Sequence, residues 1–97
     1  MNPAQQMAHL LRAGFADVGI SIPVEQDETS VAVRNLLIEF DGKISCLAHG
    51  DDDMQTVFTM PMDAMESAAC AVVMRILNRY VAQRVECAYR SLQIQGS

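Results

Sequence analysis

The chain holds 97 residues, 51% apolar and 20% charged, with a net charge of −5. That length suits one domain with a modest core, and the composition excludes disordered and low-complexity classes. The acidic balance argues against direct binding of nucleic acid, because phosphate neutralisation needs Lys and Arg.

In chain order, Asn2 caps a first helix over residues 3–18, with Pro3 at its first position, where a missing N–H costs nothing. Met7, Leu10, Leu11, Phe15 and Val18 follow the spacing of one buried stripe, and Gly19 is the expected stop. Gly14 weakens the last turn. Residues 19–30 read as a connection, in which Pro23 limits any edge pairing by Ile20, Ile22 and Val24.

Three strands are expected next, over 31–39, 43–49 and 54–60. Asp41-Gly42 is a hairpin signal. A three-residue loop, Phe40-Asp41-Gly42 with Gly42 left-handed, pairs Glu39 with Lys43, Ile38 with Ile44 and Leu36 with Cys46. This register keeps the apolar pairs on one face, whereas a slip of one residue would turn them to water. Gly50-Asp51-Asp52-Asp53 forms an acidic turn. The third strand places Met54, Thr56, Phe58 and Met60 on one side and Gln55, Val57 and Thr59 on the other, and Pro61 ends it.

A long helix over 64–90 follows, free of Gly and Pro, with Asp63 and Glu66 at the spacing of a capping box. The expected architecture is a single α+β domain over residues 1–97. It has the order α-β-β-β-α, with a three-stranded antiparallel meander and two helices packed on one face. A helix of this length outreaches seven-residue strands. Its second half is amphipathic around Val81, Val85, Ala88, Tyr89 and Leu92, so residues 81–92 are a candidate homodimer face.

Chemistry-bearing motifs are scarce. Cys46, Cys70 and Cys87 are odd in number and widely spaced, which reads as buried reduced thiols rather than a disulfide framework or a zinc site. Asp51, Asp52 and Asp53 lack the alternation and the distant acid of a calcium loop, so a solvated turn is preferred to a metal site. His49 beside Cys46 has no oxyanion device near it, so no catalytic residue is assigned. No cofactor is implied. The N-terminus lacks a secretory pattern, and no run reaches the roughly 18 apolar residues of a membrane span. A cytoplasmic protein is expected.

The charges are unevenly spread. Residues 1–66 hold eleven acids against Arg12, Arg34 and Lys43, while residues 67–97 hold four Arg against Glu86. A cationic protein surface is therefore the expected partner. Candidate contacts are Asp51, Asp52, Asp53, Asp41, Glu25, Asp27 and Glu28. Phe40 joins them as an aromatic anchor, since it sits in the hairpin loop of the preferred register.

In size, acidity, a small α+β core and the lack of a catalytic motif, the chain resembles phage-encoded anti-CRISPR proteins, some of which imitate DNA. The resemblance covers the whole chain in general character and no motif in particular. It implies a non-enzymatic inhibitor in the cytoplasm of a bacterial host. Such a protein docks an acidic surface onto the basic, nucleic-acid-binding groove of a CRISPR effector complex. The chain is also similar to acidic chaperones of type III secretion effectors in its charge and its helix–strands–helix order. It is shorter than those chaperones and lacks their further strand pair and terminal helix. That resemblance implies a dimeric chaperone or adaptor.

Overall fold

The computed structural model describes the backbone of residues 1–95 and the side chains of residues 1–80. Among these the order is α1 (Pro3–Asp17), β1 (Glu25–Gln26), β2 (Ser30–Val33), β3 (Leu36–Phe40), β4 (Lys43–His49) and β5 (Met54–Pro61). A 3-10 turn (Met62–Ala64) then leads into α2 (Met65–Gln95). The fold is α+β, and its strands form one antiparallel sheet in the order β1-β2-β3-β4-β5.

The sheet therefore has five strands instead of the expected three. The stretch read as one strand over 31–39 is a hairpin, in which Val33 pairs with Leu36 around a two-residue turn of Arg34 and Asn35. Arg34 takes a positive φ of 52° there, a conformation that costs an L-residue about 1–2 kcal/mol. The connection over 19–30 contributes β1, whose two residues pair with Val31 and Ala32.

The second hairpin keeps the expected three-residue loop with a left-handed Gly42 (φ 69°), but its register is shifted. Phe40 pairs with Ile44, Glu39 with Ser45 and Ile38 with Cys46, so the loop comprises Asp41, Gly42 and Lys43. A shift of this parity leaves Ile38, Ile44 and Cys46 on the buried face, so the hydrophobic pattern alone could not tell the two registers apart. Phe40 consequently ends β3 and packs half-buried against the core, where the sequence reading had put it in the loop.

In β5, Cys46 pairs with Phe58 and Leu47 with Thr56, so Val57 is the extra residue of a β-bulge. The bulge reverses the alternation. Met54 and Thr56 do not share a face with Phe58 and Met60 as expected.

The start of α1 agrees with the sequence reading and that of α2 does not. Asn2 does cap α1, and Gln5 reaches back to it, which makes a reciprocal capping box. Asp63 instead sits within the 3-10 turn through which α2 begins, so the box expected for Asp63 and Glu66 is not the start of that helix. At the end of α1, Gly19 (φ 74°) donates to the Ala16 carbonyl and Ile20 to that of Phe15, which is a Schellman stop. Val18, placed in the buried stripe by its spacing, is the cap and is 50% exposed.

One core joins both helices to one face of the sheet. Ala4, Met7, Ala8, Leu11 and Phe15 of α1 meet Met65, Ala68, Ala69, Val72, Val73 and Ile76 of α2 over Val31, Val33, Leu36, Ile38, Ile44 and Cys46. The alanines let the helix axes come close, and Gly14 marks the tightest point. A Cβ built there would lie 3.0 Å from Cγ2 of Val73. Arg12 adds a polar tie, donating from Nη2 to the Val24 carbonyl at 2.9 Å.

Gly14→Ala should therefore destabilise the fold by about 1 kcal/mol. Overpacking against the stiff, β-branched Val73 outweighs the gain in helix propensity. In a Val73→Ala background the same change should become stabilising by roughly 0.5–1 kcal/mol. Urea unfolding of the four proteins measures both, and a stabilising Gly14→Ala in the native background would contradict this helix contact.

Candidate functional site

Consecutive turns of an antiparallel meander lie at alternate ends of its sheet. At one end the β1–β2 turn lies beside the end of β3, where the Phe40 N–H donates to the Thr29 carbonyl at 3.2 Å. Asp41 follows directly. Lys43 pairs with Pro61, which brings the start of α2 to the same end. Asp27, Glu28, Asp41, Asp63 and Glu66 thus lie at the same end, spread across the width of the sheet, with Lys43 among them. Phe40 belongs to this end, in a shallow groove with Thr29, Ser30, Leu37, Glu39 and Asp41.

The opposite end carries the β2–β3 and β4–β5 turns, tied together where the His49 N–H donates to the Asn35 carbonyl at 2.8 Å. Asp51, Asp52 and Asp53 are exposed in the β4–β5 turn, which is closed by the Gly50 N–H on the Asp53 carbonyl at 2.9 Å. They are separated by the length of the sheet from Asp41, Asp27 and Glu28. Glu25 precedes Asp27 by two residues. It lies on the β1 edge, paired with Ala32, in a shallow groove with Pro23 and Arg34. The candidate acids do not form one patch.

Sequence reasoning missed what shares the second end with Asp51–Asp53. Arg34, Asn35 and Leu36 face Arg75, Ile76, Arg79 and Tyr80 of α2 across a small cleft of about 30 Å³. A signal for it was present. The pair Arg34-Asn35 interrupts an apolar run, and Arg75 and Arg79 stand one helical turn apart.

The sulfur and imidazole groups do not assemble. Cys46 is 0% exposed on the core face of β4, whereas His49, three residues on, has the opposite parity in the strand. His49 Nδ1 instead lies 3.1 Å from the Met54 sulfur across the β4–β5 turn. Burial pushes the Cys46 thiol up to about 11, against a smaller opposing pull from the Arg75 charge. A buried thiol that keeps its proton is a poor nucleophile at physiological pH. Cys70, expected to be buried, is exposed on α2.

Among the described residues no group of three or more His, Cys, Asp or Glu side chains could hold a metal ion. No helix among them is long and apolar enough to cross a membrane. The homodimer face expected over 81–92, and Cys87 within it, rest on side chains outside the described residues. No protein-family model, curated protein or solved structure matches this chain.

Two predictions concern the thiols. In a Cys87→Ser background, iodoacetamide at neutral pH should label Cys70 in the native protein and Cys46 only after denaturation, as read by mass spectrometry. Equal labelling of the two in the native state would contradict the burial of Cys46.

The second concerns pH. The folded state holds the Cys46 proton more tightly than the unfolded chain, whose thiol ionises near 9.0. Its contribution to stability is therefore complete below pH 9 and lost as pH rises toward 11. Over two units this amounts to roughly 3 kcal/mol. Cys46→Ala should flatten the fall in unfolding free energy between pH 9 and 11, and parallel pH profiles for the two proteins would refute it.

Proposed function

We propose that this protein is a non-catalytic inhibitor that docks its acidic end onto a basic, nucleic-acid-binding groove of a partner protein. This is the manner of the anti-CRISPR proteins that imitate DNA. The observation that carries the reading is the sorting of carboxylates by the meander. Asp27, Glu28, Asp41, Asp63 and Glu66 come from three separate segments and lie along one end of the sheet, spread from the β1 edge to the β5 edge.

Phe40 and the groove beside it add a half-buried aromatic surface next to the charges. Such a pairing of apolar anchor and charge suits a cationic groove, in which opposite charge steers the encounter and an aromatic contact slows dissociation. Asp51, Asp52 and Asp53 lie away from this end and are left out of the docking surface, whereas Glu25 flanks it, two residues from Asp27. A buried Cys46 separated from His49 supports a binding role over a catalytic one.

A second reading, a dimeric secretion chaperone or adaptor, draws on one specific feature. The 31 residues of α2 span about 46 Å at 1.5 Å per residue. The eight residues of β5 span only about 27 Å. The helix outreaches the sheet, which suits a surface shared between two chains.

The test is capture of partner protein from bacterial lysate by the immobilised chain. Binding should fall between 0.1 M and 1 M salt, as the screening length drops from about 10 Å to 3 Å, and added duplex nucleic acid should displace the captured protein. Asp27→Asn, Glu28→Gln and Asp41→Asn combined should abolish capture, while Asp51→Asn, Asp52→Asn and Asp53→Asn combined should preserve it. Capture indifferent to salt, or lost only in the second variant, would overturn the reading. A dimer on sizing, with salt-insensitive capture, would favour the chaperone.

A further inference from the structure

We propose that the cleft between the β2–β3 turn and α2 binds a terminal phosphate group, held by Arg34, Arg75 and Arg79. The inference is independent of the acidic end. It concerns the opposite end of the sheet.

The first support is composition against location. The chain has seven Lys and Arg residues and twelve Asp and Glu. Yet three arginines line one small cleft, and the other described residues lining it are Asn35, Leu36, Ile76 and Tyr80, none of them acidic. Arg75 and Arg79 stand four apart on α2, so their side chains rise from the same face about 6 Å apart. Like charges at that spacing oppose helix formation, and Arg34 faces them from the turn. An anion placed between them removes the repulsion and accepts from their guanidinium N–H groups.

The second support is backbone conformation. Arg34 holds a φ of 52°, a region that Gly or Asn usually occupies. A Gly would take that turn without strain but would remove the third positive charge from the residues that line the cleft.

Size and chemistry select the ligand. The cleft is small, with Leu36 and Ile76 in its wall and three arginines around it, which suits a compact anion. A carboxylate has two oxygens and is satisfied by one guanidinium fork, whereas a terminal phosphate offers three oxygens and nearly two charges. The groove over Ala71, Met74 and Asn78 continues from Arg75 and Arg79. Met74 is 50% exposed there, an apolar shoulder for whatever carries the phosphate. Among the described residues, Glu25 shares a separate shallow groove with Arg34, and Asp51–Asp53 lie in the exposed turn at the same end. None of them lines the cleft.

The experiment is an NMR titration of the full chain with inorganic phosphate, phosphoserine, a blocked phosphodiester and acetate, each at matched ionic strength. Phosphate and phosphoserine should give saturable shifts confined to residues 34–36 and 75–80. Binding should be tighter at pH 8 than at pH 5.5, because the dianion predominates at the higher pH. The diester and acetate should bind more weakly.

Arg75→Ala and Arg79→Ala should each weaken phosphate binding by about tenfold. Arg79→Lys should also weaken it, since an ammonium lacks the planar fork. Arg34→Gly fits the turn, so it should retain the native spectrum elsewhere and lose affinity. Shifts that do not saturate, that acetate reproduces equally, or that survive all three arginine substitutions would overturn the proposal.

Discussion

A hairpin reverses the chain, so in an unbroken antiparallel meander every second turn returns to the same end of the sheet. This rule governs where the charged side chains of the protein meet. The β1–β2 and β3–β4 turns share an end with the start of α2, and the β2–β3 and β4–β5 turns share the other. A chain that is merely acidic in sequence becomes a molecule with distinct poles. One pole is carboxylate-rich. The other sets three arginines of the turn and helix near the Asp51–Asp53 loop.

The rule explains which parts of the fold were legible in advance. Elements with a local signature were found, including α1 with its Asn2 cap and Gly19 stop, β4, β5 and the existence of a long second helix. The hairpin inside 31–39 was missed because Arg-Asn is not a usual turn pair, and Asp41-Gly42 drew attention to itself. A sign of it was there nonetheless. Val31 and Val33 alternate with period two, as do Leu36 and Ile38, but the step from 33 to 36 breaks the period. Two apolar runs joined by such a break fit two strands facing one core. The register error had a different cause, since two pairings of equal parity bury the same residues and only the loop geometry separates them. The candidate acids could be named but not grouped, because their grouping depends on how many reversals lie between them. Miscounting the strands hid the arginine cleft altogether.

The scaffold beneath these poles is a core of closely packed small and aliphatic residues. Small residues bring α1 close to α2, and Gly14 sits against Val73 where a side chain would collide. Cys46 lies at 0% exposure in the same core, with its proton held by the cost of charging a buried sulfur. A positive φ occurs instead at Arg34, exposed in the β2–β3 turn beside the cleft that Arg75 and Arg79 also line. Backbone strain away from the packing centre is a common companion of binding positions.

The extra residue in β5 has a bearing on solubility. β5 is the longer of the two outer strands, and an outer strand exposes a row of backbone groups that can recruit a strand from another molecule. Where Val57 is inserted, the ladder is interrupted and the strand bends, so no long straight template is presented for growth into fibres. The opposite margin is guarded by brevity, since β1 is only two residues long. Deleting Val57 would straighten the margin and invite the association that its presence discourages.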